Sequence, residues 1–242
     1  MRHAYPITLA LSLLALAGGP ERARADLAPP PAAAPTPKAA GAAPTAAARD
    51  ATALVLKVQG LYDKTTSFQS PFTQDFTATL HNKKVHSTGT VTFAKPGKML
   101  FDYKDPAGNR VVSDGATLRV YDASAQQMYE QAVDKAQYAA ALGFLVGGSK
   151  LQDTFKFQAF DGATMNFPGG SVLVGTPLKD MPSVKKLLLY VDDATSQVRR
   201  VLVVDGQGNK NRFDFTAPRV NEAVSDDSFR FTPPPGTNLV KP

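Results

Sequence analysis

The sequence predicts a mainly β protein with few helices, its strands following one another as an antiparallel meander. Two observations carry this. Apolar residues alternate along short runs from Phe68 to Phe231, and turn residues separate those runs at even spacing. The stretch Val91–Asp122, VTFAKPGKMLFDYKDPAGNRVVSDGATLRVYD, shows both features at once. Pro96-Gly97, Asp105-Pro106 with Gly108, Asp114-Gly115 and Asp122 supply its turns. Met99, Phe101 and Tyr103, then Leu118 and Val120, alternate between them. That is a sheet with one apolar face and no catalytic group on it.

The elements follow in order. Arg2 and His3 precede an apolar run, Ile7–Ala17, and Ala23-Arg24-Ala25 has the small-x-small pattern of a secretory cleavage site. The run is far short of the ~20 residues that span a bilayer. Residues 1–25 are therefore read as a signal peptide, cleaved after Ala25, and the mature chain as a soluble periplasmic protein. Residues 26–49 are almost all Ala and Pro and read as a disordered linker, because nothing in them can build a core. Residues 50–242 then form one domain. A helix opens it, capped by Asp50 or Thr52, with Ala51, Leu54, Val55, Val58, Leu61 and Tyr62 on one face. Phe68, Phe72, Phe76 and Leu80 alternate in the first long strand, with Ala78 on the same face. Pro71 reads as the beginning of that strand at a sheet edge. His81-Asn82-Lys83-Lys84 turns into a strand carrying Val91 and Phe93 inward. After a short strand at Met128-Tyr129, Asp134–Val146 reads as a helix, apolar around most of its circumference and ended by Gly147-Gly148. Strands return at Phe155–Ala159, Val172–Val174, Lys185–Val191, Val198–Val204 and Arg212–Thr216, and Phe229 and Phe231 begin the tail. The count is about eleven strands and two or three helices.

Charge and composition exclude several functions. Removal of the signal peptide leaves 24 basic and 20 acidic residues, a mildly basic balance without the basic run that nucleic acid would require. The chain has no cysteine, so disulfides, thiol chemistry, thiolate zinc sites and a lipidated N-terminal cysteine are excluded. No G-x-S-x-G elbow and no phosphate-binding loop is present. Gly206-x-Gly208 lacks a third glycine. His81 and His86 read as exposed turn residues, and Asp192-Asp193 and Asp226-Asp227 as acidic turns. The reading is a non-enzymatic protein with no cofactor and no metal. What the chain holds in excess is apolar surface, with 14 Phe and 7 Tyr.

The order K-P-G-K-M-x-F-D-Y at Lys95–Tyr103, then S-D-G-x-T-L-x-V-Y-D at Ser113–Asp122, resembles the LolA family of periplasmic lipoprotein carriers. Ala141–Phe155, ALGFLVGGSKLQDTF, and Phe229–Gly236, FRFTPPPG, fit the same family, and the resemblance runs from about Ala51 to the C-terminus. It implies an incompletely closed β-barrel of about 11 strands with a helical lid, and a monomeric carrier that ferries the acyl chains of lipoproteins from the inner to the outer membrane. It implies partners too: acylated lipoproteins, a LolCDE-type ABC transporter in the inner membrane that supplies the energy, and an outer-membrane acceptor such as LolB. The implied acyl-binding face comprises Phe72, Phe76, Val91, Phe93, Met99, Phe101, Tyr103, Leu118 and Val120, covered by Leu142, Phe144 and Leu145. Met99 and Phe101 stand where the family commonly has phenylalanine and tryptophan. Lys95 stands where the family's arginine bonds lid backbone, which makes it the implied lid latch. The alternatives are a carrier of another lipid or a lipid-sensing regulator similar to the RseB family. The latter adds a second domain for which this chain is read as having no residues left.

Overall fold

The structure, a computed structural model, describes residues 48–80, 82–133, 143–145, 147–181 and 183–240. The expected signal peptide, nearly all of the expected linker, His81, Leu142 and most of the expected 134–146 helix lie outside the described residues.

β1 (Ala48–Arg49) leads into the helix α1 (Ala51–Lys64). β2 (Ser67–Ala78), β3 (Lys83–Ala94), β4 (Lys98–Asp105), β5 (Arg110–Asp114), β6 (Thr117–Asp122) and β7 (Gln127–Ala132) form one antiparallel meander. β8 (Phe155–Asp161), β9 (Gly170–Pro177), β10 (Lys186–Asp192), β11 (Val198–Val204) and β12 (Lys210–Phe215) form a second. β13 (Arg219–Val220) and β14 (Asn238–Val240) are short additions. β2–β12 are thus the eleven longer strands that the sequence predicted. The protein is mainly β, and its one large sheet does not close.

The two meanders are not joined where the chain would join them. The ladder runs β1-β8-β9-β10-β11-β12-β2-β3-β4-β5-β6-β7-β14, so β12 lies against β2, with Asn211 opposite Phe76 and Phe215 opposite Phe72. Consecutive strands β7 and β8 therefore stand toward opposite borders of the sheet. The connection between them includes helical residues 143–145 and the one-turn helix Leu151–Thr154, and it passes from one border to the other.

Alternation decides which face is inside. On β2, Phe68, Ser70, Phe72, Gln74 and Phe76 are buried. Val91 and Phe93 on β3 and Met99, Phe101 and Tyr103 on β4 continue the same face. The outer face of β4–β7 is covered as well. Phe229, in the 3-10 turn Asp226–Phe229, is 1% exposed, and Val112, Tyr121 and Met128 are buried on that side of the sheet. Phe231 follows, its ring 5.3 Å from that of Tyr121, with the Arg110 guanidinium 5.4 Å over it.

Three details depart from the sequence reading. Pro71 lies within a central strand, opposite Thr90 of β3, and its missing N–H falls where β12 gives way to β13. Leu80 is not on the inner face: β2 ends at Ala78, and Leu80 is 76% exposed in the hairpin turn. His86 is in β3 rather than in a turn, its Nδ1 2.7 Å from Asp75 Oδ1 on the outer face.

Candidate functional site

The site builds outward from α1. Asp50 is its N-cap, its carboxylate accepting the N–H groups of Thr52 and Ala53 at 2.9 and 3.1 Å. The helical period then puts Val55, Val58 and Tyr62 on one buried stripe, with Ala51, Leu54 and Leu61 packed beside it. This stripe faces the inner surface of the second meander, where Leu187, Leu189, Val191, Val198, Val201 and Val203 belong to the same core. Polar bonds fix the helix at three points. The Tyr62 hydroxyl accepts the backbone N–H of Val198 at 3.0 Å. Gln59 Oε1 accepts the N–H of Leu151 at 2.8 Å, which ties α1 to the one-turn helix. Lys95 Nζ donates to the carbonyl of Tyr62 and, at 3.2 Å, to that of Asp63. A cation there also meets the negative end of the helix dipole.

Lys95 holds a second neighbour. A Cβ on Gly147 would stand 3.1–3.3 Å from the Lys95 methylenes, and Gly147 has φ +79°. The lysine stem thus fills the space beside the glycine that ends the 134–146 segment. The resemblance implied a bond to lid backbone. Among the described residues the bond is to the last turn of α1, and Gly147 lies beside the stem.

Of the predicted acyl-binding residues that the structure describes, all but Phe76 come together, and Leu142 lies outside the described residues. Phe72, Val91, Phe93, Met99, Phe101, Tyr103, Leu118, Val120, Phe144 and Leu145 all belong to one continuous buried cluster. Phe76 is buried but lies outside that cluster, further along β2. The cluster is a mesh of rings. Phe72 meets Phe101 and Tyr103 edge-on at 5.3 Å each, and Phe101 meets Phe93 at 5.7 Å. Gly89 makes this possible, because a Cβ there would stand 2.9 Å from Phe72 Cε1 and 2.3 Å from the Asp102 carbonyl oxygen. Phe144 closes the mesh from above, its ring edge-on to Tyr62 at 5.2 Å. Among the described residues, side chains of α1 together with Phe144 and Leu145 belong to the same buried cluster as the face expected to bind lipid.

Sequence reasoning missed part of the face. Phe213 and Phe215 belong to it, as does Phe68, which the sequence placed on the β2 face but not among the lipid-binding residues: Phe213 lies 5.6 Å from Phe101, and Phe215 lies 5.4 Å from Phe68. Alternation within Arg212–Thr216 was a visible signal, but nothing in the order of the chain put β12 beside β2. Also missed was a polar chain inside the barrel. The Tyr103 hydroxyl donates to Gln74 Oε1 at 2.8 Å, and Gln74 Nε2 donates to Asn211 Oδ1 at 2.9 Å. Burial pushes the Tyr103 phenol well above its ordinary value, so it stays a neutral donor. Among the described residues, Asn211 Nδ2 has no partner. A separate groove of about 290 Å³ lies outside this interior, between α1 and the β9–β10 side of the sheet, lined by Asp50, Lys57, Ser171 and Asp193.

Residues 63–232, more than half of the chain, match the family profile described as outer membrane lipoprotein carrier protein LolA. The chain belongs to the LolA family. A LolA-family relative from Cupriavidus necator, named outer-membrane lipoprotein carrier protein, is 28% identical over 155 residues, covering 64% of this chain and 71% of the relative. One of the same name from Methylibium petroleiphilum is 27% identical over 183 residues, covering 76% and 87%. Among solved structures, a LolA superfamily protein from Nitrosomonas europaea aligns with 75% of this chain and 97% of its own at 12% identity and a TM-score of 0.43. The matched region includes Lys95, the aromatic mesh and the polar chain, while most of α1 precedes it.

Proposed function

We propose that this protein is a periplasmic carrier that takes up the acyl chains of lipoproteins in its barrel interior and moves them from the inner to the outer membrane. One observation carries the reading. The apolar inner face is completed by elements outside the sheet, α1 and Phe144–Leu145, held over it by a few side-chain hydrogen bonds. Such a cover is exchangeable in a way that a strand is not, because withdrawing it breaks no ladder. An acyl chain of roughly 15 methylenes costs about 12 kcal/mol to expose to water. A sleeve is therefore needed for aqueous transit, and the barrel face offers the chain the same apolar contacts that α1 makes. Binding must also remain reversible, and displacing a packed helix offsets part of that gain.

In this reading the chain is exported with cleavage after Ala25, the Ala/Pro segment before the domain is a disordered leader that folding does not need, and Lys95 is the latch of the closed state. Loading falls to an inner-membrane LolCDE-type ABC transporter and unloading to an outer-membrane acceptor, with the carrier acting as a monomer that consumes no nucleotide. The test combines titration with a fluorescent fatty-acyl probe and hydrogen exchange. Saturable binding with faster exchange of the amides of residues 55–64 is the expected result. No binding, or binding that leaves those amides as protected as before, would overturn it.

A further inference from the structure

We propose that the Tyr103–Gln74–Asn211 chain is a polar subsite that receives a neutral carbonyl oxygen at the head of a bound acyl chain. The inference rests on the acyl-carrier reading and adds the orientation of the ligand. Its basis is a hydrogen-bond count. Tyr103, buried and neutral, donates its hydroxyl proton to Gln74 Oε1. That fixes Gln74 Nε2 toward Asn211 Oδ1, and so turns Asn211 Nδ2 outward from the chain. Asn211 is 6% exposed, and Nδ2 has no partner among the described residues. Reversing both amides only moves the unmet donor to the Tyr103 hydroxyl. Either way the interior keeps an unmet N–H or O–H, which loses water without regaining a bond.

The chain sits mostly among apolar groups, with the buried Ser87 opposite Gln74 on β3. On β2, Gln74 lies between Phe72 and Phe76 on the buried face, and Asn211 stands opposite Phe76 and Val203 in the ladder. A free donor in such a place selects for an acceptor that arrives with hydrocarbon attached. A neutral ester or amide carbonyl meets that description. A carboxylate does not, because its charge would have to be desolvated. The position also sets direction. Asn211 follows the exposed Lys210 at the start of β12, at the end of the barrel away from Lys95. Gln74 is seven residues along β2 from Ser67 at the α1 end, about 23 Å at the strand rise. An acyl chain whose carbonyl is held here runs along the ring mesh toward α1, with its head group at the opposite rim.

The experiment displaces a dansyl fatty-acid probe with matched ligands: methyl palmitate, N-methyl palmitamide, and hexadecyl methyl ether, which lacks the carbonyl. The parent protein should bind the ester and the amide about fivefold more tightly than the ether. Asn211→Leu should remove that preference by weakening the carbonyl ligands, with ether affinity unchanged within about twofold. The triple variant Gln74→Leu, Tyr103→Phe, Asn211→Leu leaves no polar atom of the chain unmet. It should fold, and it answers the same question if the single variant does not. Equal affinities in the parent, or a carbonyl preference that survives in these variants, would overturn the subsite while leaving acyl binding intact. Failure of all three ligands to displace the probe from the parent would overturn the carrier reading itself, and the subsite with it.

Discussion

The hydroxyl of Tyr62 and the backbone N–H of Val198 are hydrogen-bonded at 3.0 Å, which joins the last turn of α1 to the start of β11. Tyr62 is 1% exposed, and its ring also carries Phe144. One side chain therefore links the helix, the sheet and the 134–146 segment. Burial, opposed by the Val198 N–H, pushes its phenol up to about 12, so the link does not change charge near neutral pH.

Tyr62→Phe keeps the ring and removes the acceptor. The stranded Val198 N–H should cost about 1–3 kcal/mol, or roughly 2–4 °C of melting temperature for each kcal/mol. The loss falls on the closed state alone, so acyl-probe affinity should rise. Thermal unfolding and a probe titration on the same sample check both; unchanged melting with unchanged affinity would contradict the linking role of Tyr62.

Lys95 should govern rates. Lys95→Arg offers a planar fork of donors to the same α1 carbonyls and should slow probe uptake. Lys95→Leu cannot bond them, and should slow release of bound probe more than it alters uptake, because the closed state no longer competes as well. Stopped-flow association and dissociation measure this. The same pair of rates in parent, Arg and Leu proteins would show that Lys95 is only a rim residue.

Phe229→Ala separates stability from binding. Phe229 is buried on the outer face, against the side of the sheet opposite the ring mesh. Its loss should cost about 3–5 kcal/mol. Probe affinity per folded molecule should stay as in the parent, read by denaturant unfolding and titration below the transition. A large loss of affinity in the folded variant would place the tail in the binding cycle.

Acid stability should depend on Asp75. The His86 ring bonded to it and the Arg212 guanidinium hold its carboxyl below the usual carboxylate range, against burial, which raises it. A group lowered in the folded state stabilises the protein above its unfolded value, about 3.9, and that contribution disappears as pH falls through the lower folded value. Asp75→Asn should therefore melt earlier than the parent at pH 6 and converge with it toward pH 2. A constant gap across that range would mean that the ionised carboxylate is not what matters.

Much of this molecule was legible in its sequence, and the rest was not for definable reasons. Period-two alternation marked Phe72, Val91, Met99 and Phe101 as one face, because a strand's side chains alternate whatever its neighbours are. The α1 stripe was equally plain from Leu54, Val55, Val58 and Tyr62. The neighbour of β2 was hidden, since pairing between Phe72 and Phe215 spans most of the domain and leaves no local trace. Alternation puts Gln74 on the face of Phe72 and Phe76, and Asn211 on that of Phe213 and Phe215, but nothing local in the sequence shows that the two amides meet, and only the pairing of β12 with β2 brings them together. Pro71 misled because proline is barred from a central strand only where its missing N–H would have to pair with a neighbouring strand, and here it faces a handover between two.

Among the described residues the borders of the sheet are very short. One ends in the two residues of β1 on β8, the other in the three residues of β14, which run parallel to β7. Unpaired backbone along a long, flat strand recruits other chains, and brief terminal strands blunt that recruitment. In the carrier cycle proposed above, where the interior is bared at each opening, such guarding matters most during opening. Clipping off residues 236–240 would bare the half of β7 that β14 covers, and so make the domain a seed for strand-by-strand polymerisation.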